Sequence, residues 1–495
     1  MYGRFSLAYE PRVRRFYADH WTPTLAYQAL KDRRPTLLES AEFGERVGRY
    51  SVLAFDPLAT FVYQDGAATI AYRANDLMHG RETAVVEVPG TPQATLELFL
   101  QGIRRCSEAP EPETPFVGAA IGAFDFELAY AVLESADGAA PSRIAGEPLI
   151  RLFVPRRLIV FDHLRQTLDY VVLDPVLERG VRPEASRFEA EVQELQARLE
   201  AARLTPLVAV EPDALEIRSN FTREAFIDAV RAVQEEIRSA GAEQIVFSQR
   251  FDVQTDVEPF LVYRFLRSNN PSPYMYLLDL GDDVYVGSSP ESLVRIEGRT
   301  VSTRPIAGTR PRGRTPAEDR RLEAELLDDA KETAEHEMLV RLAEDDLRPI
   351  ARSGSVAVDA YRTVERYSHV MHLVSHVSAV LRDGVSPLAA VFRLFPAGTV
   401  SGAPRKAALS AIARLEPERR GVYGGAVGWI HPEGATDLAI AIRTIHFHPG
   451  GASVQVGAGI VAASSPEREY EETVNKAQAL LEALARAAAH RAAVG

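Results

Sequence analysis

Gly457-Ala458-Gly459, followed by Ser465 to Lys476, collects several groups able to hold one ligand. The stretch opens where the β-branched segment Ser453-Val454-Gln455-Val456 ends. Two glycines bare the backbone amides, so an anion can come close. Ser465 reads as an N-cap and Pro466 as the first residue of a helix. On that helix Glu469, Glu472 and Lys476 stand three and four residues apart and share one face. Amide donors, carboxylates and an ammonium together suit a carboxylated ligand bridged to the protein by a divalent cation. Mg²⁺ is apt, because it takes one or two protein carboxylates plus ligand oxygens. The same spacing also describes a solvated acidic helix with ordinary ion pairs, so this stretch alone does not decide.

Four other places carry reactive types. Glu332 and Glu335 share a face of a helix from Lys331 to Leu342 and, with Glu469 and Glu472, make a workable Mg²⁺ site or else a plain surface helix, and His336 beside them reads as a satisfied core histidine. Pro305 to Gly313 joins a strand to a charged loop, where Gly308 and Thr309 offer amides and a hydroxyl to a carboxylate and Arg310 a fork; a plain β-turn with solvated arginines fits equally. Glu291, after Ser289-Pro290, would protonate a leaving hydroxyl if burial raised its pKa, and is otherwise a turn residue. His372 lies in the apolar alternation Val370 to Val374, where a lone histidine is more often structural.

The elements that must position these groups indicate an α+β chain. Residues 1–210 read as a smaller mixed region, with strands at Thr36–Ser40, Gly44–Leu53, Arg151–Val154 and Leu158–Phe161 and a charged helix from Pro183 to Ala202. Leu204 to Ser219 reads as a crossing into a second region, 220–490. There a helix spans Thr222–Ala240, a strand Ile245–Val253, and a helical region Ala317–Leu347 breaks near Lys331. Strands follow at Gly421–Ile430, Leu438–Phe447 and Ser453–Val456, and the Ala/Arg-rich tail after Leu484 is expected to fray. Strand runs followed by helix runs favour α+β over a doubly wound sheet. A net charge of −13 argues against nucleic acid or an anionic membrane as partner, so an anionic ligand must be held by local cations. The single Cys106 excludes an internal disulfide and fits a reducing cytoplasm. No apolar run reaches the ~20 residues of a membrane span, and Met1–Phe5 lacks the apolar core of a signal peptide.

Several long motifs then occur in one order: Phe395 to Pro404, Arg420 to Gly428, Ala439 to Thr444, and the stretch first described. Together they resemble the chorismate-utilising enzymes over roughly Asn220 to Leu481. Within that family the chain is similar to the large aminase subunits of anthranilate synthases. Three places carry the narrower likeness. Ala307 stands where aminodeoxychorismate synthases have lysine. Gln244 stands where isochorismate and salicylate synthases have a lysine that activates water, and a neutral glutamine cannot be that base. Leu38-Glu39-Ser40 with Asn270 to Met275 resembles the family's tryptophan feedback site.

The resemblance implies a large antiparallel sheet sandwich flanked by helices, with the active-site cleft in region 220–490 and a regulatory region before it. It implies conversion of chorismate and ammonia to anthranilate and pyruvate with Mg²⁺, a committed step of tryptophan biosynthesis. Glu335 and Glu472 would be the Mg²⁺ ligands. Gly308, Thr309, Tyr423, Arg443, Gly457, Ala458, Gly459 and Lys476 would contact chorismate. Glu291 would assist loss of the ring hydroxyl, His372 the later elimination of pyruvate, and Gln244 would favour ammonia as nucleophile. Glu39, Ser40, Pro273, Tyr274 and Met275 would bind tryptophan. No cysteine has a glutaminase-like setting, so ammonia is expected from a separate glutamine amidotransferase subunit or from free ammonium.

The chain departs from the family pattern at Arg341 to Pro349 and at Arg405, which puts the helix end and partner coupling in question but not the ligands. Rival expectations are an aminodeoxychorismate or aminodeoxyisochorismate synthase and, in another class, a catalytically silent tryptophan-binding protein.

Overall fold

Alternation along the strand Gly451–Ile460 organises what surrounds it: Val454, Val456, Ala458 and Ile460 are all buried in the core. The computed structural model describes residues 5–40, 48–73, 83–106, 114–133, 145–176, 185–208, 210–366 and 370–494. Gly44 to Val47, Pro183 and Glu184, and all but Phe5 of the opening pentapeptide therefore lie outside the described residues.

The final helix, Pro466–Val494, packs on that strand and on the helices Arg223–Ala240 and Pro259–Asn269. Its Ala477, Leu480, Ala483, Leu484 and Ala487 form a buried helical stripe. That stripe runs past the point where fraying was expected. The helix instead continues to Val494, with His490 buried and its Nε2 3.1 Å from the Pro206 carbonyl oxygen. The helix Arg223–Ala240 starts where the Thr222 hydroxyl accepts from the Ala225 amide at 3.2 Å, and ends at Gly241 with φ 66°. Fully buried Phe226 lies 5.4 Å from the Phe247 ring and 5.8 Å from Tyr470, joining helix, strand and final helix. Burying one such side chain stabilises by about 1.5–3 kcal/mol.

The architecture is α+β, a large antiparallel sheet with flanking helices; Leu7–Tyr17 with Ile103–Arg105 is a parallel exception. Strand pairing crosses the expected division near residues 210–220. Thr36–Glu39 pairs with Tyr274–Asp279, and Ala120–Phe124 with Ala426–Ile430. Both main hydrophobic clusters also draw residues from either side.

Two elements differ from expectation where chemistry is concerned, and a third agrees. The expected strand Gly421–Ile430 begins only at Ala426, because Gly421 and Gly424 take φ of 61° and 75° in a turn. The expected strand Leu438–Phe447 is two strands, Thr436–Ile440 and Thr444–His448, separated where Arg443 takes φ 50°. The helical region does break, between Pro316–Asp328 and Ala330–Leu347.

Candidate active site

Gly457, Ala458 and Gly459 lie inside the strand Gly451–Ile460, not in a loop after it. Gly457 faces Ser248 and Gly459 faces Val246 on the strand Gln244–Val253. The Ser248 amide bonds to Glu416 Oε1 and the Val246 carbonyl to Arg420, so both turn away from the glycine strand. In an antiparallel ladder the opposite residues then turn their own polar groups outward as well. Gly457 and Gly459 thus present their amides to the far edge of their strand, where the Gly457 carbonyl accepts from Lys476 Nζ at 3.0 Å. The neighbouring strand Thr444–His448 pairs only as far as Val454, which leaves this edge clear of it. Neighbouring side chains crowd both glycines. A Cβ at Gly459 would lie 2.1 Å from Gln244 Nε2, and one at Gly457 2.8 Å from the Tyr423 hydroxyl. Gln244 and Tyr423 are therefore brought to the glycine cradle, and Ala458 faces the core between them.

The helix carrying Glu472 and Lys476 is fixed beneath them by buried Gln249, whose Nε2 donates to Thr473 Oγ1 at 2.6 Å. Glu472 and Lys476 pair at 2.7 Å with about half of each side chain exposed, 47% and 49%.

On another wall, Glu291 is held by its backbone. Ile440 donates to its carbonyl at 3.0 Å, and the Ser289 hydroxyl donates to the Ile440 carbonyl at 2.6 Å. Its carboxyl, 9% exposed, is raised to about 7 by burial, against the opposing effects of the Thr399 hydroxyl and of Arg443. His372 sits opposite Thr309 in the sheet, with Nδ1 3.0 Å from Thr309 Oγ1 and 3.1 Å from the Gly308 carbonyl oxygen. A carbonyl can only accept, so Nδ1 carries the proton and Nε2 is the basic nitrogen. Burial first, then Arg443, lowers the His372 pKa to about 4. Gly308 takes φ 68° at a bulge between Ala307 and Thr309. Arg310 is paired at 2.7 Å with Asp329 and 3.5 Å with Glu332.

The helix Ala330–Leu347 packs on the strands of Gly308 and His372. His336 is its anchor: fully buried, with Nε2 2.7 Å from Ser375 Oγ. Glu335, next to it, faces outward. Among the described residues no group of three or more His, Cys, Asp or Glu side chains is clustered as a metal cage. Hard, exposed carboxylates at Glu335 and Glu472 suit Mg²⁺, which takes few protein ligands and completes its shell with water and ligand oxygens.

A second cavity, of about 330 Å³, is lined by Leu38, Glu39, Ser40, Pro273, Tyr274 and Met275, among others. That volume falls in the usual range of small-molecule sites, about 300–1,000 Å³. The Glu39 carboxylate is already bonded to Arg267 at 2.7 Å, and Tyr274 donates to Asp437 at 3.0 Å.

Sequence reasoning missed Glu127, Glu416 and Arg420. Glu127 accepts from the backbone of Arg420 and Gly421, at 2.6 and 3.1 Å, and burial raises its pKa to about 7. The departures from the family pattern meet each other: Arg405 pairs with Asp346 at 2.6 Å, while the helix ends at Leu347 before Pro349.

The family model of chorismate binding enzymes matches residues 36–482. Anthranilate synthase component 1 of Thermus thermophilus is 42% identical, covering 96% of this chain and 97% of its own length. The protein of the same name from Pseudomonas putida is 40% identical, covering 98% of this chain and 96% of its own. The crystal structure of anthranilate synthase component I from Streptococcus pneumoniae superposes with a TM-score of 0.73 at 33% identity, covering 94% of this chain and 98% of that one. The chain belongs to the chorismate-binding enzymes, and among them to the branch of anthranilate synthase component 1.

Proposed function

We propose that the chain aminates chorismate with ammonia and eliminates pyruvate to give anthranilate, under feedback control by tryptophan. The observation that carries this is the pairing of a buried acid near neutrality, Glu291, with a neutral histidine, His372, around one arginine, Arg443. The membership just given supports it.

Chorismate carries two carboxylates. One rests near Glu335 and Glu472, where Mg²⁺ would withdraw charge from the ring carboxylate. The other meets Arg443 and backbone amides. Glu291, raised to about 7, keeps a protonated fraction at neutral pH that donates to the departing ring hydroxyl as ammonia adds. His372 Nε2 then takes the proton from the ring carbon that bears nitrogen, the bond between the ring and the ether oxygen breaks, the ring becomes aromatic, and the departing enolpyruvate takes up a proton to become pyruvate. Gln244, against Gly459, is neutral and leaves ammonia as the nucleophile.

Ammonia comes from a separate glutamine amidotransferase subunit or from free ammonium. Tryptophan occupies the cavity at Ser40 and Tyr274, with its indole against the apolar wall. Chromatography of the products formed from chorismate, ammonium and Mg²⁺ tests the proposal. Anthranilate is expected, and EDTA should stop its formation. An amino product that keeps the enolpyruvyl group would make the chain an aminodeoxychorismate or aminodeoxyisochorismate synthase.

A further inference from the structure

Behind the strand that faces the two glycines lies an ion pair that the reaction proposed above does not use. Arg420 and Glu416 are 5% and 3% exposed. Arg420 Nε donates to Glu416 Oε2 at 2.8 Å and Nη2 to Oε1 at 2.5 Å. A buried pair of this kind is weak evidence for stability, because desolvation offsets its attraction. Its placement is more informative.

The outer edge of the strand Gln244–Val253 has a succession of partners. Gly402 and Ala403 pair with Ile245 and Gln244, Asn220 bonds to Arg250, and Ile217–Ser219 pairs from Phe251 to Val253. Between them the edge is taken by the ion pair. Arg420 Nη2 donates to the Val246 carbonyl at 2.8 Å, and Glu416 Oε1 accepts from the Ser248 amide, also at 2.8 Å. Without these bonds both backbone groups would be buried and unpaired, a cost of about 1–3 kcal/mol each. Val246 and Ser248 are the residues opposite Gly459 and Gly457.

The same residue reaches two more parts of the site. Nη1 donates to the Val400 carbonyl at 2.7 Å, next to Thr399, which lines one pocket with Glu291. Its own backbone, held by Glu127, leads in three residues to Tyr423 at the glycine cradle. Only a planar fork with five donors can serve acceptors spread in this way; a lysine ammonium cannot span them.

We propose that the Glu416–Arg420 pair is a positioning element for the amination step, fixing Glu291 relative to the Gly457–Gly459 edge that receives the substrate. The proposal rests on the site reading given above. Arg420→Lys keeps the charge and loses the span; Glu416→Gln keeps an acceptor for Ser248 and loses the bidentate pair.

Both variants are compared with the wild-type chain by circular dichroism, tryptophan binding and steady-state kinetics on chorismate and ammonium. Expected are a folded chain, unchanged tryptophan binding, a kcat lower by about 10²-fold and a chorismate KM within about threefold of wild type. If the folded fraction of either variant turns over at the wild-type kcat, or if neither variant folds, the pair is only a stabiliser and the proposal is overturned. Wild-type protein that leaves chorismate untouched would instead remove the underlying functional reading.

Discussion

Glu291 and His372 are tied to each other through one guanidinium: Arg443 opposes the upward shift of the acid and deepens the downward shift of the imidazole. At neutral pH the site then holds a carboxyl that can give a proton and an imidazole that can take one. Two titratable groups pushed in opposite directions define the acid and base of two successive steps.

For Glu291 the pH dependence has a sign. Its folded pKa, about 7, lies above the ordinary carboxyl value of 4.5, so the folded chain binds more protons than the unfolded one between these values. Stability is therefore lost as pH rises through this window. Glu291→Gln should lower kcat by about 10²–10⁴-fold. It should also raise thermal stability at pH 8, by about 3 kcal/mol at most, with the gain gone near pH 4. Calorimetry at the two pH values measures this; a variant less stable than wild type at pH 8 would count against a buried, strained acid.

His372→Met should separate the two halves of the reaction. The acid that starts amination is intact, so chorismate should be consumed and aminodeoxyisochorismate should accumulate while anthranilate falls at least about tenfold. Product analysis by chromatography reads the partition. Untouched chorismate would place His372 in the first half, or in the sheet alone through its contacts with Gly308 and Thr309.

Glu335→Gln and Glu472→Gln should each abolish Mg²⁺-dependent turnover with little change in stability, within about 0.5 kcal/mol, since both side chains face outward. A Mg²⁺ titration followed by isothermal calorimetry in the presence of chorismate gives a readout besides activity. Near-normal turnover of either variant at ordinary Mg²⁺ would refute the assignment.

Ser40→Phe should fill part of the second cavity and leave the acid, the histidine and the glycine cradle untouched. Activity should persist while the tryptophan concentration for half inhibition rises at least about tenfold, a loss of coupling in the usual range of 1–3 kcal/mol. Equal inhibition of variant and wild type would place the tryptophan site elsewhere.

What could be read from the sequence was whatever works through local spacing. The face shared by Glu472 and Lys476 and the break before Ala330 are such cases. The grouping of Ser40 with Tyr274 came from resemblance, since a contact between residues so far apart has no local signature. Glu416 and Arg420 went unnoticed for a different reason. Four residues apart, they look like an ordinary solvated helix pair, and only the missing strand partner of Val246 and Ser248 gives them a role. The break at Arg443 was hidden by the continuous apolar run Leu438 to Ile442, which local propensity extends as one strand.

The most direct test of the proposed reaction follows the nitrogen. The purified chain is incubated with chorismate, Mg²⁺ and ¹⁵N-ammonium, and the products are analysed by mass spectrometry with pyruvate measured in parallel. Expected is anthranilate carrying the heavy nitrogen, formed one for one with pyruvate, and no anthranilate when glutamine replaces ammonium. Chorismate that remains unchanged under these conditions, or is consumed without labelled anthranilate, would contradict the assignment.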